Sequence, residues 1–209
     1  MTSTLRRSLL LVIGSTTLGC GVALVLTADL GSDGFSTLVN GVVRRTDLAF
    51  GAANILVSIV FLAAAALRRV IPGVGTVVQV VVVGVVADLM LRVLDTPGTW
   101  WGQALMLAAS LPVIGFGIAA YLGSQTGAGP VEAAAQAYDP PVPFTYTYNV
   151  VQAASALLGW LLGATVGIGT LVVVLALGPA ASLAARLLRV DLSRPTVQQP
   201  SETGSQAGS

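Results

Sequence analysis

Long apolar stretches alternate with short polar ones along this chain of 209 residues. The apolar stretches have about 18 to 23 residues each, and a helix of that length, rising 1.5 Å per residue, crosses the roughly 30 Å hydrocarbon core of a bilayer. None shows the apolar–polar alternation of a barrel strand, so helices are predicted. The six predicted transmembrane helices cover residues 8–28, 50–67, 74–94, 101–123, 144–163 and 168–188.

Two shorter and more polar segments lie between these helices. Residues 32–46 follow the first helix, and residues 129–138 follow the fourth. Neither is long enough to cross a bilayer comfortably, so each is predicted as a half-helix or re-entrant segment, with a full crossing or a surface position as the alternatives. The last stretch, residues 190–209, is rich in Ser, Pro, Gln, Thr and Gly and is predicted to be a disordered cytoplasmic tail.

Matching landmarks recur in the same order in the two halves of the chain. GCGVA at residues 19–23 is similar to GFGIA at residues 115–119, which lies 96 residues later. PGVGT at residues 72–76 is similar to VGIGT at residues 166–170, which lies 94 residues later. Such regular spacing indicates an internal repeat.

The repeat predicts how the chain is arranged in the membrane. Each unit has three crossings, an odd number, so the second copy enters the bilayer from the opposite side. The predicted fold is therefore an all-α membrane protein with six transmembrane helices in two inverted three-helix repeats, each with a half-helix or re-entrant segment. The first repeat covers residues 1–95 and the second covers residues 96–189.

Composition and charge agree with a chain dissolved in lipid. Hydrophobic residues make up 55% of the sequence and charged residues 9%, whereas a soluble domain has about 25% charged residues. With no histidine and one cysteine, Cys20, the chain has no Cys/His metal site and no Ser–His or Cys–His catalytic pair. We therefore predict no enzymatic activity, no metal, no cofactor and no nucleic-acid partner.

The arginines predict the orientation of the helices. A cytoplasmic N-terminus leaves three arginines outside, namely Arg44, Arg45 and Arg92, and seven inside. This excess favours a multi-pass protein of the plasma membrane with both termini in the cytoplasm. If residues 32–46 crossed fully, Arg44 and Arg45 would instead lie inside, and Arg68 and Arg69 would lie outside. The seven inside are Arg6, Arg7, Arg68, Arg69, Arg186, Arg189 and Arg194.

Four glycine-containing turns suggest a family. The ADLG turn at residues 28–31, the GAGP turn at residues 127–130 and the repeated GxGT at residues 73–76 and 167–170 resemble those of the YczE-like (YyaS/YitT-related) bacterial membrane proteins. The resemblance covers roughly residues 8–189, but SDGF stands where the family often has a Pro-Trp-Asp-like stretch. It implies a polytopic bacterial inner-membrane protein and says little about its chemistry.

The same turns are candidate ligand sites. A half-helix that begins inside a membrane directs its free N–H groups at whatever lies there, and a GxGT turn can form a backbone nest for an anion. The alternative is an ordinary turn followed by a helix cap. The residues concerned are Gly31, Gly34, Gly73, Gly75, Thr76, Gly127, Gly129, Gly167, Gly169 and Thr170.

Polar residues in or near the apolar runs are candidates for a substrate or ion pathway. A carboxylate within a bilayer costs roughly 2.5–3.5 kcal/mol on insertion scales, so it needs a partner or water. Amides there often form hydrogen bonds between helices and can also line a cavity. For the carboxylates, the alternative is a hydrated position that caps a helix. The candidates are Asp29, Asp33, Asn54, Glu132, Asn149 and Gln152.

Two functions follow from this pattern. The first is a small transporter or permease for an ion or small molecule, with its site at the interface between the repeats. The second is a non-transporting scaffold or accessory protein that assists another enzyme or an export system. Convergence of the polar candidates on one cavity would favour the transporter, and scatter over the surface would favour the scaffold.

Overall fold

The computed structural model describes residues 3–138, 141–142 and 144–190, and this part of the chain contains eight helices and no strand. The predicted tail, apart from Val190, lies outside the described residues. The helices are α1 (Ser3–Thr27), α2 (Gly34–Thr46), α3 (Phe50–Ala66), α4 (Val74–Leu91), α5 (Trp100–Gly123), α6 (Pro130–Gln136), α7 (Phe144–Leu161) and α8 (Ile168–Leu188).

Six of these helices lie where the six crossings are predicted, but four of them are both long and apolar enough to cross a membrane. Those four are α1, α4, α5 and α8. Helix α3 is apolar but has 17 residues, and α7 begins with the polar sequence FTYTYN. The four long apolar helices are typical of a membrane protein.

The two polar segments form short helices. Helix α2 has 13 residues and α6 has 7, so they reach about 20 Å and about 10 Å at 1.5 Å per residue, less than the hydrocarbon thickness. Asp33 is the N-cap of α2 and accepts a hydrogen bond from the Ser36 backbone N–H at 3.1 Å. Pro130 occupies the first turn of α6, where its missing N–H costs nothing.

Helices α1 and α5 form the centre of the molecule and approach each other closely. A Cβ added to Gly117 would lie 2.6 Å from the Leu18 backbone nitrogen, and one added to Gly21 would lie 2.9 Å from the Ile114 backbone nitrogen. Gly117 lies 96 residues after Gly21, and Ile114 lies 96 residues after Leu18. The two contacts are therefore the same contact made in both directions.

The glycine turns also exchange equivalent contacts. The Gly75 N–H donates to the Thr126 carbonyl at 3.1 Å, and the Gly169 N–H donates to the Leu30 carbonyl at 2.8 Å. Gly169 follows Gly75 by 94 residues, and Thr126 follows Leu30 by 96. Each GxGT turn thus packs on the glycine turn of the other half of the chain.

The turns after α1 and α5 share an unusual backbone. Asp29 and Gln125 have φ values of 52° and 53°, and Gly31 and Gly127 have φ values of 104° and 157°. Positive φ is costly for residues with a Cβ and easy for glycine. Positive φ therefore recurs at corresponding positions of the two turns.

The contact between α3 and α4 has no counterpart of similar extent in the second half of the described chain. Helices α3 and α4 pack together, with Gly51 against Gly84, whereas α7 and α8, in their described residues, barely touch. Gly178 corresponds to Gly84, and a Cβ built on Gly178 would meet nothing within 4 Å. The interface between α3 and α4 is closed, and the equivalent interface between α7 and α8 is open.

Candidate functional site

A cavity of about 80 Å³ lies between the helices, and all eight helices contribute to its wall. At about 10–15 Å³ per water, it has room for several water molecules or one small solute. The wall contains apolar, aromatic and polar side chains, including two carboxylates, Asp33 and Glu132, and no arginine among the described lining residues.

Much of the wall consists of corresponding residues from the two halves of the chain. The spacing within each pair is 96 residues for those from α1, α2, α5 and α6, and 94 for those from α3, α4, α7 and α8. The cavity therefore lies where the two halves meet. The pairs are Leu18 with Ile114, Val22 with Ile118, Phe35 with Val131, Ser36 with Glu132, Asn54 with Tyr148, Ser58 with Gln152 and Val83 with Leu177.

Glu132 reaches the cavity from the short helix α6. Helix α6 begins at Pro130 and Glu132 lies in its first turn, and the Tyr121 hydroxyl of α5 is hydrogen-bonded to the carboxyl of Glu132. Tyr121 is 2% exposed, so its ring and hydroxyl form a fixed part of the wall. A carboxyl group in this position needs hydrogen bonds, a proton or a cation.

Asp33 and Gln152 hold the first turn of α2 beside the cavity. Asp33 accepts the Ser36 N–H, and the Gln152 side-chain oxygen accepts the Phe35 N–H at 3.0 Å. The Gln152 amide nitrogen donates to the Tyr148 hydroxyl at 3.1 Å. Two of the N–H groups at the start of α2 are therefore already used by side chains of this protein.

Two buried polar atoms in the wall have no hydrogen-bond partner in the part of the chain that the structure describes. The side-chain oxygens of Gln79 and Ser58 are buried without a hydrogen bond, and these residues are 8% and 1% exposed. Both line the cavity. By contrast, the Asn54 amide donates to the Val80 carbonyl at 2.9 Å and ties α3 to α4. Buried polar atoms without partners are rare in folded proteins.

Two predicted pathway residues lie outside the cavity. Asp29 is at the surface, where it accepts a hydrogen bond from Thr165 at 2.7 Å and pairs with Arg44 at 3.4 Å. Asn149 is exposed on α7. Asp33, Asn54, Glu132 and Gln152 do line the cavity. Of the six candidates, the structure thus brings four together.

The predicted glycine turns are used mainly for packing. The Thr76 hydroxyl donates a hydrogen bond to the Ala128 carbonyl at 2.7 Å. The N–H groups of Gly75 and Gly169 donate to carbonyls of the glycine turns in the other half of the chain. Gly34 touches the Gln152 backbone, and Gly129 lies beside Glu132 and Tyr121. Gly73 and Gly167 are the N-caps of α4 and α8.

Sequence reasoning missed Tyr121, Tyr148 and Ser58 as lining residues. The repeat spacing contains a signal for two of them, because Tyr148 lies 94 residues after Asn54, and Ser58 lies 94 before Gln152. In the described residues, no group of three or more His, Cys, Asp or Glu side chains could hold a metal ion.

Residues 5–186 match a protein family described as a family of unknown function, DUF6198. The chain belongs to this family. An uncharacterized protein of Haemophilus influenzae is similar to it, with 26% identity over 173 residues that cover 81% of this chain and 78% of the relative. No solved structure matches the chain. The description of the family names no activity.

Proposed function

We propose that this protein is a small transporter of the bacterial plasma membrane with its substrate site in the cavity between two inverted repeats. The observation that supports this most directly is the cavity wall. Seven pairs of corresponding residues surround a space that contains buried polar groups. Inverted-repeat transporters bind their substrates at the interface between the repeats, near the middle of the membrane.

The proposed repeats are residues 1–95 and 96–189, with six crossings made by α1, α3, α4, α5, α7 and α8. Exchange of equivalent contacts between α1 and α5, and between the glycine turns, supports a two-fold relation between them. Helices α2 and α6 would be the half-helices that enter from opposite sides. The resemblance to YczE-like proteins agrees with this architecture and belongs to the same proposal.

Contacts at the two ends of the molecule fit an orientation with both termini in the cytoplasm. Asp29, Arg44 and Thr165 meet at one end, which would be the outer face. Arg68 lies over the Tyr138 ring, 5.0 Å from its centroid, and would be at the cytoplasmic face. The arginine excess on that side follows the positive-inside rule.

The difference between the two helix pairs supports a transport cycle. In this orientation, the closed α3–α4 interface lies in the outer half of the membrane and the open α7–α8 interface in the cytoplasmic half. Tyr148 of α7 and Leu177 of α8 line the cavity next to the opening. The conformation would therefore face the cytoplasm, and closing α8 on α7 while α4 leaves α3 would give the opposite state.

Uptake into proteoliposomes tests the proposal. The panel would contain labelled inorganic cations, anions, amines and neutral metabolites, with empty vesicles as the blank. We expect at least one compound to enter faster with the wild-type protein than into empty vesicles. We expect Glu132→Gln, which alters the cavity, to reduce that uptake, and Asp29→Asn, which alters the surface, to leave it unchanged. Equal uptake by all four samples over the whole panel would contradict the proposal.

A further inference from the structure

Charge in the cavity wall limits what the cavity can hold. Asp33 and Glu132 contribute carboxyl groups, and no arginine lies among the described lining residues. The two described ion pairs of arginine lie outside the cavity wall, and they join Arg44 to Asp29 and Arg92 to Asp88. An anion in the cavity would lie near two carboxyl groups without a compensating cation, which is costly at low dielectric.

The buried polar atoms without partners also favour a solute that donates hydrogen bonds. The side-chain oxygen of Gln79 is a hydrogen-bond acceptor without a donor, and the Ser58 hydroxyl oxygen is also without a partner. Both belong to residues that are more than nine-tenths buried and line the cavity. Together with the two carboxyl groups, they form a set of acceptors that a solute with several N–H donors would satisfy.

The remaining wall suits an organic cation better than a bare metal ion. Phe35, Phe50, Tyr121 and Tyr148 line the same space, and aromatic faces attract ammonium and guanidinium groups. Hard metal ions require six or more oxygen ligands or retain waters. A wall with this much apolar and aromatic surface does not provide such a shell.

We propose that the cavity binds a small organic cation with N–H donors, such as a primary alkylammonium. The charged nitrogen would lie near the carboxyl groups of Glu132 and Asp33, and the unpartnered Gln79 and Ser58 oxygens offer further acceptors in the same wall. Its carbon atoms would contact the aromatic and aliphatic wall. This inference rests on the proposed site between the repeats and extends it by naming the class of substrate.

Binding of radiolabelled methylammonium to the purified full-length protein in detergent tests this inference. Ionic strength is held constant with sodium chloride. We expect saturable binding of methylammonium that isobutylammonium displaces. Tetramethylammonium, which has no N–H donor, should displace it less well. Acetate and acetamide should not displace it. Displacement by acetate or acetamide at lower concentration than by isobutylammonium would overturn the proposal.

Variants identify the atoms involved. Glu132→Gln should weaken methylammonium binding about tenfold or more, because it removes a charge-assisted hydrogen bond. Gln79→Leu, which removes the unpartnered acceptor and keeps a similar volume, should weaken it several-fold, and Asp29→Asn should bind like the wild type. Thermal unfolding shows which variants are folded, and Gln79→Leu serves if Glu132→Gln does not fold. Wild-type binding by folded Glu132→Gln and Gln79→Leu would contradict the proposal.

The binding assay and the uptake assay separate the two proposals. Methylammonium binding that depends on Glu132, with no uptake of any compound by vesicles, would support the cation site and contradict the transporter. Uptake of an anion or neutral metabolite by a protein that does not bind methylammonium would support the transporter and contradict the cation site.

Discussion

Asp29 and Asp33 lie four residues apart and have different surroundings. Asp29 pairs with Arg44 and Thr165 at the surface, whereas Asp33 caps α2 and faces the cavity. The sequence shows both as polar residues beside a glycine turn, and it does not tell the surface position from the one beside the cavity. Asn149 differs for a related reason. It follows Tyr148 by one residue, or about 100° around the helix, and it lies on the exposed side of α7 while Tyr148 lines the cavity.

The surface contacts of Asp29 predict a small effect on stability. Asp29→Asn removes an exposed ion pair and keeps a polar side chain of the same size. We expect the free energy of unfolding in detergent to fall by less than about 1 kcal/mol. Methylammonium binding should not change. A loss of binding with unchanged stability would show that Asp29 acts in the site.

The backbone at Gly31 predicts a larger effect. Its φ is 104°, and an added Cβ would meet the Thr170 side chain. Gly31→Ala should therefore lower the free energy of unfolding by about 1–3 kcal/mol. Gly98→Ala is the matched control, because nothing lies within 4 Å of its Cβ position. Equal stability of the two variants in chemical unfolding would be inconsistent with the described turn.

Most helix starts follow from the apolar runs, because a run that must pack or dissolve in lipid along its whole length can be read directly. Helix α1 is the exception, since it begins at Ser3, five residues before the predicted run at 8–28. The runs at 50–67, 74–94 and 144–163 extend one to three residues beyond α3, α4 and α7, since apolar residues continue into the capping turns. The apolar runs do not predict the difference between the α3–α4 and α7–α8 interfaces. Gly84 and Gly178 are equivalent in sequence, and only tertiary packing separates them.

Gly84 and Gly178 make a direct test of the two interfaces. A Cβ at Gly84 would lie 3.2 Å from the Asn54 amide nitrogen and 3.2 Å from the Gly51 Cα. Gly84→Leu should therefore overpack α3 against α4 and lower the free energy of unfolding by about 1–3 kcal/mol. Gly178→Leu has open space and should unfold like the wild type.

The transport assay gives the second half of this test. If α8 must close on α7 during the cycle, Gly178→Leu will be stable but will take up substrate no faster than empty vesicles. Gly178→Ala should retain part of the activity, because the equivalent space beside Gly84 nearly accommodates a methyl group. Wild-type uptake by Gly178→Leu would show that α8 does not need to approach α7.

At the scale of the whole molecule, the spacing of the repeat is the sequence feature that best predicts how the two halves are arranged. The offsets of 96 and 94 residues, visible in the glycine turns, also pair seven sets of cavity-lining residues. The sequence could therefore predict that a polar cavity lies between the two halves. It could not predict the precise wall, because the rotation of α7 and the buried position of Tyr121 depend on how eight helices pack together.

In the proposed architecture, the second repeat lies upside down relative to the first. Single cysteines at Ile71, in the α3–α4 connection, and at Val166, in the α7–α8 connection, test it in a Cys20→Ser background. Both native side chains are exposed. An impermeant maleimide applied to intact spheroplasts should label the cysteine at 166 at once and the cysteine at 71 only after the membrane is opened. Labelling of both from the same side would contradict the inverted repeat.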